Sequence, residues 1–202
     1  EEGEINLQDS KNPVDIALAA HFESHELKPA KRCSDSVFIR RATLDLTGRI
    51  PSPERLEAFL DDESPDKREK LVDELLASDE FVNYMSLRLG DILRIKAEFP
   101  INLWPNAAQA YTRFIRKSLS DGLGWDEMAR RMLSSSGSNF RVGEVNFLRA
   151  MQSRTPESTA SCAALTFMCA RYDKIPDGRR KAFASFFSRV RYKTTKGGKE
   201  GS

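Results

Sequence analysis

The sequence of 202 residues has no long hydrophobic run, and it contains only two histidines and three cysteines. No apolar stretch approaches the roughly 20 residues that cross a bilayer, so no transmembrane helix is expected. Two histidines give little support to a Ser-His-Asp or Cys-His nucleophile system. Three cysteines are too few, and odd in number, for a disulfide scaffold, and the sequence leaves their pairing open.

What is present is the composition of a globular protein, with 40% hydrophobic and 31% charged residues. The net charge of +2 hides an asymmetry, because residues 171–202 carry ten basic and three acidic side chains. A basic end can contact nucleic acid. No RNA-binding, zinc-finger or leucine-zipper pattern accompanies it, so we favour a solvated helix face and tail, and nucleic-acid binding is the weaker hypothesis.

Apolar residues recur at three-to-four spacing through most of the chain, and the strict alternation of a strand is missing. The sequence therefore predicts an all-α fold, an irregular bundle of about eight to nine helices. The first predicted helix covers 13–26, and the second runs from a cap at Ser34 or Asp35 to Gly48. Two more begin at Pro53 and Pro65, and a longer one runs from Ser78 to near residue 99. The remaining predicted helices cover 107–119, 126–133 and 157–171, with a brief segment around 147 and a last helix that carries 183–190.

The domain organisation follows from the same pattern. We expect residues 13–192 to form one helical domain between a flexible segment, 1–12, and a disordered basic tail, 193–202. The serine-rich stretch 134–138 is predicted to be an exposed loop.

Several helix ends have recognisable signals. Ser52-Pro53 and Ser64-Pro65 each place a capping hydroxyl before a proline at the first helical position. Gly48 is predicted to end the second helix.

Two apolar faces are expected to be buried. The first helix is expected to bury Ile16, Ala19, Ala20 and Phe22. The last helix is expected to dock through Phe183, Phe186 and Phe187 at i, i+3, i+4 spacing.

His21 and His25 lie four residues apart, so both imidazoles share one helix face that zinc would accept. No third ligand is marked, and we favour a solvated polar face over a metal site. Catalytic residues are not indicated by any pattern.

The segment 38–51 stands out because two arginines precede an acid and a Gly–Pro exit follows. Its residues are Arg40, Arg41, Asp45, Gly48 and Pro51. We favour a structural Arg–Asp network at the helix end over a ligand clamp.

The same segment carries a family resemblance, together with blocks at 53–60, 64–68, 71–78, 91–94, 146–147 and 182–190. These blocks resemble the planctomycete cytochrome-c-like family, a domain of unknown function in large envelope proteins of planctomycetes and related bacteria. The resemblance implies a periplasmic or cell-envelope location and a longer protein with a second domain.

The resemblance also implies a Cys-x-x-Cys-His pattern followed by His-Pro, which attaches a c-type haem. Here Cys169 is kept, whereas Tyr172, Asp173 and Ile175 stand where the pattern has cysteine and two histidines. One of three attachment groups is left, so we expect no cofactor. Cys169 is then expected to be a small buried apolar residue.

The favoured function is a haem-free helical binding or assembly module of a larger envelope protein. Its expected partners are its own missing C-terminal domain and other envelope components. The alternative is part of an enzyme whose active site a missing C-terminal region completes. An enzyme should show a concave site with convergent carboxylates or arginines, and a scaffold should show a flat or apolar patch.

Overall fold

A computed structural model describes residues 10–98 and 103–192, and this part of the chain is helical with no strand. The all-α prediction is confirmed. The α-helices of the described residues are α1 Pro13–Ser24, α2 Asp35–Thr47, α3 Pro53–Asp61, α4 Lys67–Leu76, α5 Asp79–Ile92, α6 Pro105–Ser120, α7 Trp125–Ser134, α8 Asn146–Arg149, α9 Pro156–Met168 and α10 Asp177–Ser185. These are ten helices, a small excess over the predicted eight to nine, and they include the four-residue α8.

The chain forms two compact units, the first ending at Tyr84 and the second beginning at Met85. The single domain over 13–192 stays a prediction. The predicted flexible segment 1–12 lies mostly, and the predicted tail 193–202 wholly, outside the described residues.

In the first unit, α2 packs against α3 and α4. The buried side chains between them are Ile39, Phe59, Leu71 and Leu75. This small cluster is the apolar core that orients the charged ends of α2 and α4.

One of the two Ser-Pro signals starts a helix. The Ser52 hydroxyl accepts a hydrogen bond from the Arg55 N–H at 3.3 Å, with Pro53 at the first position of α3. The second prediction is wrong because the Ser64 hydroxyl instead donates to the Asp62 carboxylate. The chain turns there, and α4 begins later, at Lys67.

The expected burial of α1 is also wrong, since none of its residues is buried and Ile16 is 54% exposed. Ala19 and Phe22 are half-buried. The apolar residues of α1 surround the helix instead of forming one face, so their spacing did not define a buried side.

The core of the second unit lies between α6, α7 and α8. It is built from Tyr111 and Ile115 of α6, Met128 and Met132 of α7, and Phe147 of α8.

A buried asparagine fastens the chain before α8 to α6. Asn146 is fully buried, and its Nδ2 donates to the carbonyl oxygens of Asn139, Gly143 and Ala107 at 2.9, 3.0 and 3.3 Å. A Cβ on Gly143 would lie 2.4 Å from the Ala110 oxygen, so only glycine permits this approach.

Two helices of this unit end earlier than predicted. α5 ends at Ile92, short of the expected end near residue 99. α9 ends at Met168 because Cys169 takes a left-handed conformation with φ of +50°.

The last aromatic face is only partly docked. Phe187 is 8% exposed and packs with Ala160, Ala163 and Ala184, while Phe186 is 80% exposed. The prediction for Phe186 is wrong because α10 ends at Ser185, and the chain after it no longer keeps helical spacing.

Candidate ligand-binding cleft

The second unit contains a cleft of about 820 Å³ between the loop after α7, the α8 region and the chain after α10. We call it the serine–arginine cleft. Its lining residues are Leu133, Ser134, Ser135, Ser136, Gly137, Ser138, Asn139, Val145, Leu148, Arg149, Phe186, Arg189, Val190, Arg191 and Tyr192. The volume is within the range of small-molecule sites.

Tyr192 closes one side of the cleft. Its hydroxyl donates to the Leu148 carbonyl oxygen at 3.1 Å, and the Arg154 guanidinium lies 4.5 Å from its ring centroid. Burial raises the pKa of the Tyr192 phenol, although the charges of Arg154 and Arg149 act in the opposite direction. The phenol is therefore neutral at physiological pH.

In the part of the chain that the structure describes, the charged residues lining the cleft are Arg149, Arg189 and Arg191, and no aspartate or glutamate lines it. Arg191 is engaged with the backbone, since its Nη1 donates to the Ser188 and Val190 carbonyls. Half-buried Arg149 and exposed Arg189 make no hydrogen bond or ion pair within the described residues. Two guanidinium groups at the cleft thus have unused donors.

Asn139 is the most unusual polar residue of the cleft. It is only 7% exposed, yet its carboxamide makes no hydrogen bond to any described residue. Its backbone oxygen is the group that accepts from Asn146. The carboxamide is not one of the fully buried, unpaired side-chain groups of the described residues, so it meets water in the open cleft, where a ligand could replace that water as its hydrogen-bond partner.

The sequence predicted the exposed loop 134–138 but not that it lines a cleft. Arg189 and Arg191, which line the same cleft, lie about fifty residues further along the chain. No local spacing pattern connects the two segments, so only the fold brings them together.

The signature residues of α2 do not form the expected network. Arg40, Arg41 and Asp45 are all exposed, and no ion pair joins Arg41 to Asp45 in the described part of the chain. The expected Arg–Asp network at this helix end is therefore not formed among the described residues. Arg41 does border an apolar cleft of about 450 Å³ with Leu18.

The charged network of this unit lies instead at the other end of α2. Arg68 donates from Nε to the Asp35 carboxylate at 2.8 Å and from Nη2 to the Cys33 carbonyl at 2.7 Å. Lys67 pairs with the same carboxylate at 2.8 Å. The Arg68 guanidinium also lies over the Phe38 ring at 4.7 Å. These partners hold α4 against the start of α2.

Gly48 has a backbone role. It ends α2 with φ of +70°, and a Cβ there would lie 2.5 Å from the Tyr84 ring. Pro51 follows as a half-buried residue of the exit. The glycine of the signature is therefore required by conformation and by close packing.

The segment 169–175, where the resemblance places a haem motif, is used structurally. The Tyr172 hydroxyl donates to the Arg180 carbonyl at 2.9 Å, and Asp173 pairs with Arg171 at 3.1 Å. Cys169 is exposed, which corrects the expectation that it is buried. The segment supplies one thiol and no imidazole, so its residues do not fit a c-type haem.

The two histidines are close, with ring centroids 4.2 Å apart and the His25 Nδ1 2.9 Å from the His21 carbonyl oxygen. Among the described residues, no three or more His, Cys, Asp or Glu side chains are grouped to hold a metal ion. The three cysteines are free thiols. None of the described helices has the length and apolar character needed to span a membrane.

The fold and the cleft define an all-helical protein with a candidate small-ligand site. A family model described as PSCyt2, a protein of unknown function (DUF1549), matches residues 13–192. The chain belongs to this family, and the family predicted from the sequence blocks is confirmed. No curated protein and no solved structure matches the chain.

Proposed function

We propose that the chain is a haem-free helical binding module of a larger bacterial cell-envelope protein, and that the serine–arginine cleft is its ligand site. The larger protein and the envelope location rest on the family resemblance. The binding role rests on the cleft.

One observation carries the binding role: the carboxamide of Asn139 and the guanidinium of Arg149, which make no hydrogen bond within the described residues, line the same cleft. A ligand that enters the cleft could replace the water at these groups with direct hydrogen bonds. Among the described residues, the cleft lining has no aspartate, glutamate, histidine, cysteine or lysine that could act as a general base. These features favour binding over acid–base chemistry.

The alternative, an enzyme site completed by another region of a longer protein, draws support from the same concave shape and convergent arginines. It requires that the other region bring a nucleophile or a base to the cleft. Turnover of a bound compound by the longer protein, but not by this chain, would favour this alternative.

Binding is tested by thermal shift with three eight-carbon compounds: octanoate, octanol and octylammonium. A saturable rise in melting temperature with at least one of them is expected. Ser135→Trp, which puts a bulky ring on the cleft wall, should abolish that rise. Ser120→Trp, on an exposed residue outside the lining, should not. If no compound raises the melting temperature, or if Ser135→Trp folds and responds like the wild type, the cleft is not a ligand site.

The envelope location is tested by fractionating the native organism with an antibody to this chain. Recovery with periplasmic or envelope markers is expected, and recovery with cytoplasmic markers would contradict it.

A further inference from the structure

We infer that the serine–arginine cleft binds an organic anion, with its carboxylate or phosphate head at Arg149, Arg189 and Asn139 and an apolar body against Leu148 and Val190. This inference rests on the proposed binding function and names the ligand class of that site.

The charge of the cleft determines which sign of charge a ligand should carry. Its three lining arginines face no lining carboxylate, so the local potential is positive. The N–H groups of the Arg149 and Arg189 side chains make no hydrogen bond within the described residues. A guanidinium can bind two oxygens of a carboxylate or phosphate in a bidentate pair. A cationic ligand would be repelled.

The neutral donors support the same head group. The carboxamide of Asn139 and the hydroxyl of Ser135 have no hydrogen-bond partner within the described residues, and both residues line the cleft. Each can donate to an anionic oxygen, and hydrogen bonds to a charged acceptor are the strong ones. The Tyr192 hydroxyl keeps its proton and donates it to the Leu148 carbonyl oxygen, so no negatively charged phenolate repels the anion.

The apolar walls require more than a bare anion. Leu133, Val145, Leu148 and Val190 line the cleft, and Phe186 borders it with 80% of its surface exposed. An apolar body would remove part of this surface from water, which favours binding. An inorganic anion would leave these walls wet and is expected to bind weakly.

The test is calorimetric titration of the folded chain with octanoate, octyl phosphate, octanol, octylammonium and inorganic phosphate. Octanoate or octyl phosphate should bind at least about tenfold more tightly than octanol, as expected for charge-assisted pairs, and should weaken as salt is raised. The tighter of these two anions identifies the head group.

Arg189→Gln should lower the affinity of the anions by about tenfold and leave that of octanol unchanged. Arg116→Gln, on an exposed and unpaired arginine of α6 outside the cleft, is the matched control and should bind like the wild type.

A second variant, Asn139→Asp, places a carboxylate beside the head group and should abolish binding of both anions.

Octanol or octylammonium binding as tightly as octanoate would overturn the anion assignment while leaving a binding module. Inorganic phosphate binding as tightly as octyl phosphate would overturn the apolar body. Unchanged anion affinity in folded Arg189→Gln and Asn139→Asp would place the head group elsewhere. If none of the compounds binds, both the inference and the proposed function fail.

Discussion

At the scale of single residues, Gly48 combines two constraints that only glycine meets, a φ of +70° and the ring of Tyr84 at 2.5 Å from a would-be Cβ. Gly48→Ala should therefore cost more than the roughly 1–3 kcal/mol of a strained backbone alone. Urea unfolding followed by circular dichroism measures the loss.

Gly122 is the matched control, since it has a φ of +65° with nothing within 4 Å of a built Cβ. Gly122→Ala should cost only the backbone strain. Equal losses in the two variants would show that Tyr84 moves aside at no cost, and that the packing argument for Gly48 is wrong.

The two asparagines of the cleft region show why the site could not be predicted from sequence. Asn146 uses its carboxamide to fasten the chain to α6, and Asn139, seven residues earlier, leaves its carboxamide free. Both are buried, and nothing in their local sequence separates these roles. The difference arises only from which backbone oxygens the fold brings near each side chain.

At the scale of helices, the contact between α2 and α4 depends on Asp35. The hydrogen bonds from Lys67, and then from Arg68, hold the pKa of this carboxylate below its usual value of 3.8. A depressed pKa means that the network stabilises the fold above about pH 4 and is lost as the pH falls through the lower folded value.

Asp35→Asn should therefore lower the free energy of unfolding by about 1–2 kcal/mol near neutral pH, because the pair is partly solvent-screened. The difference in the free energy of unfolding between the variant and the wild type should become smaller below about pH 4. Denaturant titrations across the pH range measure it. Asp45→Asn, on the same helix without an ion pair, should change little at any pH. If the difference in unfolding free energy between Asp35→Asn and the wild type stays constant down to pH 2, the ionised network is ruled out.

The docking of α10 gives a matched pair of neighbours. Phe187→Ala should cost about 3–5 kcal/mol because a buried ring is removed, and Phe186→Ala should cost less than about 0.5 kcal/mol. Thermal and urea unfolding compare them. Similar losses would mean that Phe186 is buried against a surface the described residues do not include.

Helix positions were largely predictable because their signals are local, as in α2 with its glycine end and α3 with its Ser52-Pro53 start. The same local signal failed at Ser64, because the nearby Asp62 carboxylate accepts from its hydroxyl and from its N–H. Burial failed for α1, where apolar residues on all sides give no preferred face. Sequence spacing therefore does not predict a helix cap when a neighbouring side chain binds the capping group. It also does not predict which residues are buried when burial depends on contact with another helix.

At the scale of the whole molecule, we expect this chain to carry no covalent haem, in contrast to the attachment pattern that the resemblance implies. Cys169 is exposed and could form one thioether, but Tyr172 and Asp173 provide neither the second thiol nor an iron ligand of the required kind. The chain produced in a strain that matures c-type cytochromes should show no Soret absorbance after denaturation. The variant with Tyr172→Cys, Asp173→His and Ile175→His restores the pattern and should acquire the band, which controls for the maturation machinery. A covalent Soret band in the unmodified chain, at one haem per molecule, would overturn the haem-free proposal and indicate electron transfer.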